Sequence, residues 1–112
     1  MVLHHYQSSS GKDLILEYVK SLPDDEKTDG FSVLQCLQNN EMDKIKFKRW
    51  EKKVYEVYFY KSNRIFYVVA DGKNMYLLHA CRKQKNQTGK KDRKLVIKRA
   101  REIRKLLGKI FI

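Results

Sequence analysis

The spacing of apolar residues predicts two helices in the first part of the chain. Residues 2–7 form a short, partly apolar segment, which is typical of an edge strand, and the serines after it indicate a turn. Between residues 12 and 22 the apolar positions recur at helical spacing: Leu14, Ile15, Tyr18, Val19 and Leu22. Pro23 ends this helix, and a second apolar stripe follows at Phe31, Leu34 and Leu37. Two helices joined by a tight turn predict a helical hairpin.

After residue 44 the pattern becomes typical of strands. Residues 54–60, 64–70 and 75–81 are rich in β-branched and aromatic side chains, with short polar turns between them. The Asp71-Gly72 turn is a strong hairpin signal, so an antiparallel meander is predicted. A helical stripe returns after residue 90 at Val96, Ala100, Ile103 and Leu107. The predicted fold is α+β, with an N-terminal helical hairpin, an antiparallel meander and a C-terminal helix, in one domain over residues 1–112.

The positive charge of the chain is concentrated in its last quarter. The formal net charge is +12. Residues 1–81 contain 12 Lys and Arg against 11 Asp and Glu, whereas residues 82–112 contain 13 against 2. Such an excess of one sign indicates a polyanionic partner, and nucleic acid is the most general one. No apolar run approaches the roughly 20 residues that a membrane helix needs, so no membrane partner is expected.

The two cysteines give no sign of a metal site. Cys36 and Cys81 are far apart in the sequence and lack metal-ligand spacing. They are expected to be reduced thiols in a cytoplasmic protein, most simply as small buried hydrophobic residues. No metal and no other cofactor is expected.

Several short segments occur together in a recognisable order. They are YEVYF at 55–59, NRIFY at 63–67, LLHA at 77–80, RK at 82–83 and TGKK at 88–91. As a set they resemble the HigB-like branch of the RelE toxin superfamily, over nearly the whole chain. The resemblance implies a RelE-like fold and ribosome-dependent endoribonuclease activity on mRNA. It also implies a cognate antitoxin, commonly a helix-turn-helix protein of the HigA-like kind, in a toxin–antitoxin hetero-oligomer.

Two other functions stay open at this stage, because fold alone does not assign activity. ParE-like relatives share the fold and act on DNA gyrase without cleaving RNA. A plain RNA-binding or ribosome-associated module would also account for the basic C-terminal part. Three outcomes distinguish these functions. Mapped mRNA cuts indicate the endoribonuclease, supercoiling defects indicate the gyrase inhibitor, and RNA binding without cleavage indicates the RNA-binding module.

Metal-free RNA cleavage requires a base for the 2′-hydroxyl, cations around the phosphate and an acid for the leaving 5′-oxygen. The resemblance assigns Arg64 to the scissile phosphate, which a guanidinium can grip with two hydrogen bonds. His79 titrates near neutrality and is either an acid–base group or a histidine satisfied by structural hydrogen bonds. Lys83 matches a position that contacts the leaving group or the phosphate. Glu56 is either the general base or a structural carboxylate that orients Arg64.

The remaining candidates are expected to bind RNA. They are Arg82, Lys85, Tyr58, Tyr67, Lys90 and Lys91. The cations suit phosphates, and the two tyrosines are candidates for stacking on bases or for packing within the sheet. Tyr58 stands where relatives carry a second basic residue, so the resemblance does not identify the general base. Gly89 replaces a proline of many relatives, which is expected to loosen the loop before the last helix.

Overall fold

The computed structural model describes residues 1–83 and 87–112. Its elements are β1 (Val2–His5), α1 (Leu14–Lys20), α2 (Asp24–Gln38), a 3-10 turn (Met42–Lys44), β2 (Lys46–Glu51), β3 (Val54–Phe59), β4 (Asn63–Val69), β5 (Asn74–Arg82) and α3 (Lys90–Leu107). In this part of the chain, no helix is both long and apolar enough to cross a bilayer.

The strands form one mixed sheet with the order β1-β5-β4-β3-β2. The pairs from β2 to β5 are antiparallel, as predicted for the meander, but β1 pairs with β5 in parallel. The predicted fold class, an N-terminal helical hairpin with an antiparallel meander, is therefore wrong. The two helices connect β1 at one edge of the sheet with β2 at the opposite edge, and the chain returns through β3 and β4 before β5 pairs with β1.

The prediction of the sheet also missed β2, which pairs with β3 at the opposite edge. The sequence of β2 is KFKRWE, and most of its side chains are exposed. An edge strand of this kind buries little apolar surface and carries lysines that discourage pairing with a further strand. Because charged residues dominate β2, its sequence shows no clear alternation of apolar and polar positions. This strand becomes important for the site described below.

Helices cover both faces of the sheet. Helices α1 and α2 pack on one face through Ile15, Val19, Val33, Leu34 and Leu37. Helix α3 packs on the other face through Val96 and Ala100, against Val54, Phe66, Val68 and Leu78. The Asp13 side chain caps α1 by accepting from the Leu16 amide at 2.9 Å, and Gly108 ends α3 in the left-handed conformation.

Gly30 lies where α2 packs closely against α1 and β3. A Cβ atom at this position would stand 2.9 Å from Cγ1 of Val19 and 3.1 Å from the Phe59 ring. Although glycine lowers intrinsic helix propensity, a side chain here would overpack the core.

We expect Gly30→Ala to lower the free energy of unfolding by about 1–3 kcal/mol, because the overpacking outweighs the gain in helix propensity. Urea denaturation followed by circular dichroism measures this change. The matched control is Ser32→Ala at an exposed position of the same helix, which should change stability by less than about 0.5 kcal/mol. A Gly30→Ala protein as stable as the parent would contradict the close approach of α2.

The turn between β3 and β4 has an unusual backbone. Tyr60 and Lys61 both have positive φ angles, of 38° and 68°. Hairpin turns of this geometry favour Asn and Gly, and other side chains there cost about 1–3 kcal/mol each. The Asp29 carboxylate of α2 accepts the Tyr60 amide at 2.9 Å, which helps to hold the turn.

Candidate functional site

A cluster of charged side chains lies on the sheet face that carries α3. Alternation along the strands places Glu56 and Tyr58 of β3 on this face, with Arg64 of β4 directly opposite Tyr58. On the other side of β3, Lys48 of β2 is opposite Glu56 and Lys46 is opposite Tyr58. Because directly opposed residues of an antiparallel pair share a face, the sheet presents these five side chains as a single surface.

Glu56 is the centre of this cluster. Its side chain is fully buried, and its Oε1 atom lies 3.3 Å from Nζ of Lys83 and 3.4 Å from Nζ of Lys48. The Lys83 side chain is buried as well, whereas the Lys48 side chain is 56% exposed. One carboxylate therefore holds one buried ammonium and one that solvent or a ligand can reach.

Arg64 lies beside this cluster and is fixed by neutral groups. Its Nη1 donates to the carbonyl oxygens of Lys61 and Asn63 at 3.1 and 3.0 Å, and its guanidinium lies 4.9 Å from the centre of the Tyr58 ring. Within the described residues, Arg64 forms no ion pair with a carboxylate. Lys48, Lys83 and Arg64 thus carry three positive charges against the single negative charge of Glu56, and the balance favours an anionic ligand such as a phosphate.

The N-terminal end of α3 and the loop before it close one side of the cluster. Trp50 of β2 donates from Nε1 to Oγ1 of Thr88 at 3.0 Å, and Arg93 lies 5.3 Å above the Trp50 ring while it pairs with Glu51. A cavity of about 420 Å³ lies between this wall and the Glu56 cluster. A second cavity, of about 430 Å³, extends from Lys83 to Lys90 along the start of α3. We call these two cavities the cleft.

His79 connects β5 to α3 and is occupied on both ring nitrogens. Nε2 lies 2.8 Å from Oδ1 of Asp92, and Arg99 donates to Nδ1 at 3.0 Å. Since Nδ1 accepts, the ring is neutral and Nε2 carries the proton that Asp92 accepts. Burial lowers the pKa of His79, and the Arg99 charge adds to this effect against the opposing influence of Asp92. His79 therefore lies beside the cleft as a structural link between two elements.

The lowered pKa of His79 predicts a pH dependence of stability. In the unfolded state the ring binds a proton near the usual histidine pKa of about 6.5, whereas the folded state resists protonation to lower pH. The free energy of unfolding therefore falls as the pH drops below about 6.5. Replacement by glutamine, which cannot titrate, should flatten the stability curve between about pH 7.5 and pH 5. Urea denaturation across this range measures the slope for both proteins, and parallel curves would show that His79 is not buried in the neutral form.

His79, Cys81 and Asp92 place three potential metal ligands within 4.8 Å of one another. The group does not fit a metal, because Arg99 occupies Nδ1 and leaves the proton on Nε2, the atom that faces the other two. Burial also raises the pKa of the Cys81 thiol to about 12, which disfavours the thiolate that binds metals.

Four other predicted residues lie away from the Glu56 cluster. Arg82 pairs with Glu26 of α2 at 2.7 Å and also lines the second cavity of the cleft. Tyr67 is buried on the face that α2 covers, stacked on Tyr55, and its pKa is raised by burial. Its ring is therefore on the opposite side of the sheet from Arg64 and not available to a base in the cleft. Lys90 and Lys91 are exposed in the first turn of α3, where Lys90 lines the cleft. Lys85 lies outside the described residues.

Sequence reasoning missed the contribution of β2 and α3 to the site: Lys48, Trp50, Thr88 and Arg93. The signal for Lys48 was its alternation with Lys46 and Trp50, which marks one face of a strand. Nothing in the sequence pattern connects Trp50 with Thr88 or Arg93, because that contact depends on how α3 crosses the sheet.

Comparison with known proteins identifies the family. Residues 17–101, three quarters of the chain, match the family described as phage derived protein Gp49-like (DUF891). The chain belongs to the Gp49-like family. This family is part of the RelE/HigB-like group of toxins from toxin–antitoxin systems, so the predicted toxin group is confirmed at that level. Among curated proteins, no match to this Gp49-like chain is found.

Proposed function

We propose that this Gp49-like protein is a HigB-like toxin of a type II toxin–antitoxin system that cleaves mRNA on the ribosome in the cytoplasm. The observation that supports this most is the Glu56 cluster, in which Lys48 and Lys83 line the cleft and Arg64 lies beside them, so that three positive charges face one negative charge. A phosphodiester is the anion that this arrangement suits best, since both a guanidinium fork and an ammonium can contact its oxygens.

In the proposed reaction, the 2′-oxygen of a ribose attacks the adjacent phosphorus, and the bond to the 5′-oxygen of the next nucleotide breaks. The guanidinium of Arg64 stabilises the charge that develops on the non-bridging oxygens. The Lys83 ammonium donates a proton to the departing 5′-oxygen, and the proton of the 2′-hydroxyl passes to solvent. The products are a 2′,3′-cyclic phosphate and a 5′-hydroxyl end.

The geometry favours one of the two roles considered for Glu56. Both carboxylate oxygens of Glu56 are already engaged by ammonium groups, so neither is free to take a proton from an incoming hydroxyl. We therefore assign Glu56 the role of positioning residue for Lys83. It does not contact Arg64 through any ion pair in the described part of the chain, so orientation of Arg64 falls to the carbonyls of Lys61 and Asn63.

The proposed cleft has few groups to align a substrate, which is consistent with a message that the ribosome positions. The outward face of α3 adds exposed cations at Lys94, Lys98, Arg101 and Lys105, which suit the phosphates of ribosomal RNA. A cognate antitoxin, proposed to be a HigA-like helix-turn-helix protein, would hold the toxin inactive in a hetero-oligomer.

The proposal is tested by inducing the protein in a bacterial host and mapping RNA 5′ ends across the transcriptome. Growth arrest with new cuts in translated messages, absent after Arg64→Ala, is the expected result. Arrest with intact messages and altered plasmid supercoiling would favour a gyrase inhibitor of the ParE-like kind. Binding to ribosomes without arrest or cuts would favour a non-catalytic RNA-binding module.

A further inference from the structure

A third cavity, of about 380 Å³, lies at the end of the sheet where β3 turns into β4. It is lined by Tyr58, Tyr60, Lys46 and Lys61, together with Asp29 and Lys44. Ser32 and Val33 of α2 form its other wall, and Tyr58, whose ring lies under the Arg64 guanidinium, is the residue that this cavity shares with the surface of the Glu56 cluster. We call it the turn cavity.

We propose that the turn cavity binds the nucleotide next to the cleaved bond in a single-stranded RNA. Lys46 and Lys61 would contact its phosphate, and the rings of Tyr58 and Tyr60 would contact its base. The proposal rests on the function proposed above, and it adds a subsite that the cleavage chemistry itself does not require.

The charge of the turn cavity supports an anionic ligand. Of its three lysines, Lys44 is paired with Glu41. Lys46 and Lys61 form no ion pair among residues 1–83 and 87–112. Asp29 is the acidic residue in the lining, and its carboxylate already accepts the Tyr60 amide. Two free ammonium groups beside aromatic faces match the combination that binds single-stranded nucleic acid without reading sequence.

The spacing of the strand supports a polynucleotide over an isolated phosphate. Lys46 and Lys48 are two residues apart on the same face of β2, so their Cα atoms are separated by about 6.8 Å along the strand. Neighbouring phosphates of an extended single strand have a similar spacing. Lys48 reaches the Glu56 cluster and Lys46 reaches the turn cavity, so β2 provides one cation for each of two successive phosphates.

The strained turn is an independent observation that points to the same place. Tyr60 and Lys61 hold left-handed backbone angles where glycine or asparagine would fit more easily. Strain of this kind concentrates at binding sites, where the side chain at the strained position is needed. Tyr60 is 41% exposed, so its ring is presented to solvent and does not compensate by packing in the core.

The test compares the double variant Lys46→Ala/Lys61→Ala with a control, Lys52→Ala/Lys53→Ala. The control removes the same charge from exposed lysines in the β2–β3 turn. Programmed ribosomes provide kcat and KM for mRNA cleavage, and a fluorescent single-stranded RNA of about ten nucleotides provides Kd. We expect the double variant to raise KM and Kd at least about tenfold relative to the control, with kcat nearly unchanged, because its contacts are equal in the ground and transition states.

Two further measurements address folding and mechanism. Loss of the contacts to this one phosphate should reduce the slope of log Kd against log salt by about 0.7. Tyr60→Gly should also raise Kd while the midpoint of thermal unfolding stays equal or rises, because glycine relieves the backbone strain.

A folded Lys46→Ala/Lys61→Ala protein that binds and cleaves like the control would overturn the subsite. If the parent protein cleaves no RNA, the proposed function fails. The Kd of the double variant relative to the control then tests the subsite alone.

Discussion

Replacing Arg64 by alanine is expected to lower kcat for mRNA cleavage on the ribosome by at least about 100-fold, because one preformed donor to a developing oxyanion is typically worth that much. The guanidinium is held by two backbone carbonyls and by the Tyr58 ring, so it is positioned before the substrate arrives. Since the charge on the phosphate oxygens grows only in the transition state, the loss should fall on kcat more than on KM. Single-turnover cleavage of a programmed message measures it.

Two control variants determine whether the effect depends on the guanidinium. Arg64→Lys keeps the charge but loses the planar fork, so it should recover part of the rate and still fall well below the parent. Lys73→Ala removes an exposed charge from the turn between β4 and β5 and should cleave normally. Normal cleavage by Arg64→Ala would remove this residue from the chemistry and with it the proposed role of the cluster.

Replacing Glu56 by glutamine is expected to lower the free energy of unfolding by about 3–5 kcal/mol, because it leaves a buried ammonium without its counter-charge. Glutamine has nearly the same shape as glutamate, so packing around the fully buried side chain changes little. What changes is the partner of Lys83, whose side chain is only 4% exposed. Urea denaturation at neutral pH measures the change.

The control for this prediction is the double variant Glu56→Gln/Lys83→Met. Removing both charges eliminates the unpaired ammonium and should restore most of the lost stability, since well-packed apolar replacements of buried ion pairs are often neutral. An effect of Glu56→Gln below about 1 kcal/mol would mean that the pair is solvated, and the assignment of Glu56 as a positioning residue would then lack its basis.

The sequence pattern predicted those elements whose stability comes from local or adjacent contacts. Strands β3 to β5 are rich in β-branched and aromatic residues and are joined by short turns, so their antiparallel order could be predicted from the sequence. The parallel pairing of β1 could not be obtained in this way, since its partner β5 is about 70 residues away. Strand β2 was missed for another reason: a solvated edge strand has no apolar face for the pattern to detect.

The same distinction applies to the site. Glu56 and Tyr58 are two residues apart on β3, so alternation places them on one face, and the register places Arg64 beside them. The pairing of Glu56 with Lys83 and Lys48 could not be predicted in this way, because the three residues come from β3, from the end of β5 and from β2. The burial of Tyr67 and the two contacts of His79 depend on which face each helix covers, which no local pattern specifies.

The chemical identity of the RNA ends tests the central claim most directly. A programmed ribosome would be incubated with the purified protein, and the ends of the fragments would be analysed by mass spectrometry and by their need for phosphorylation before ligation. Attack by the 2′-hydroxyl in a cluster of lysine and arginine predicts a 2′,3′-cyclic phosphate on one fragment and a 5′-hydroxyl on the other. Fragments with 5′-phosphate and 3′-hydroxyl ends would contradict it.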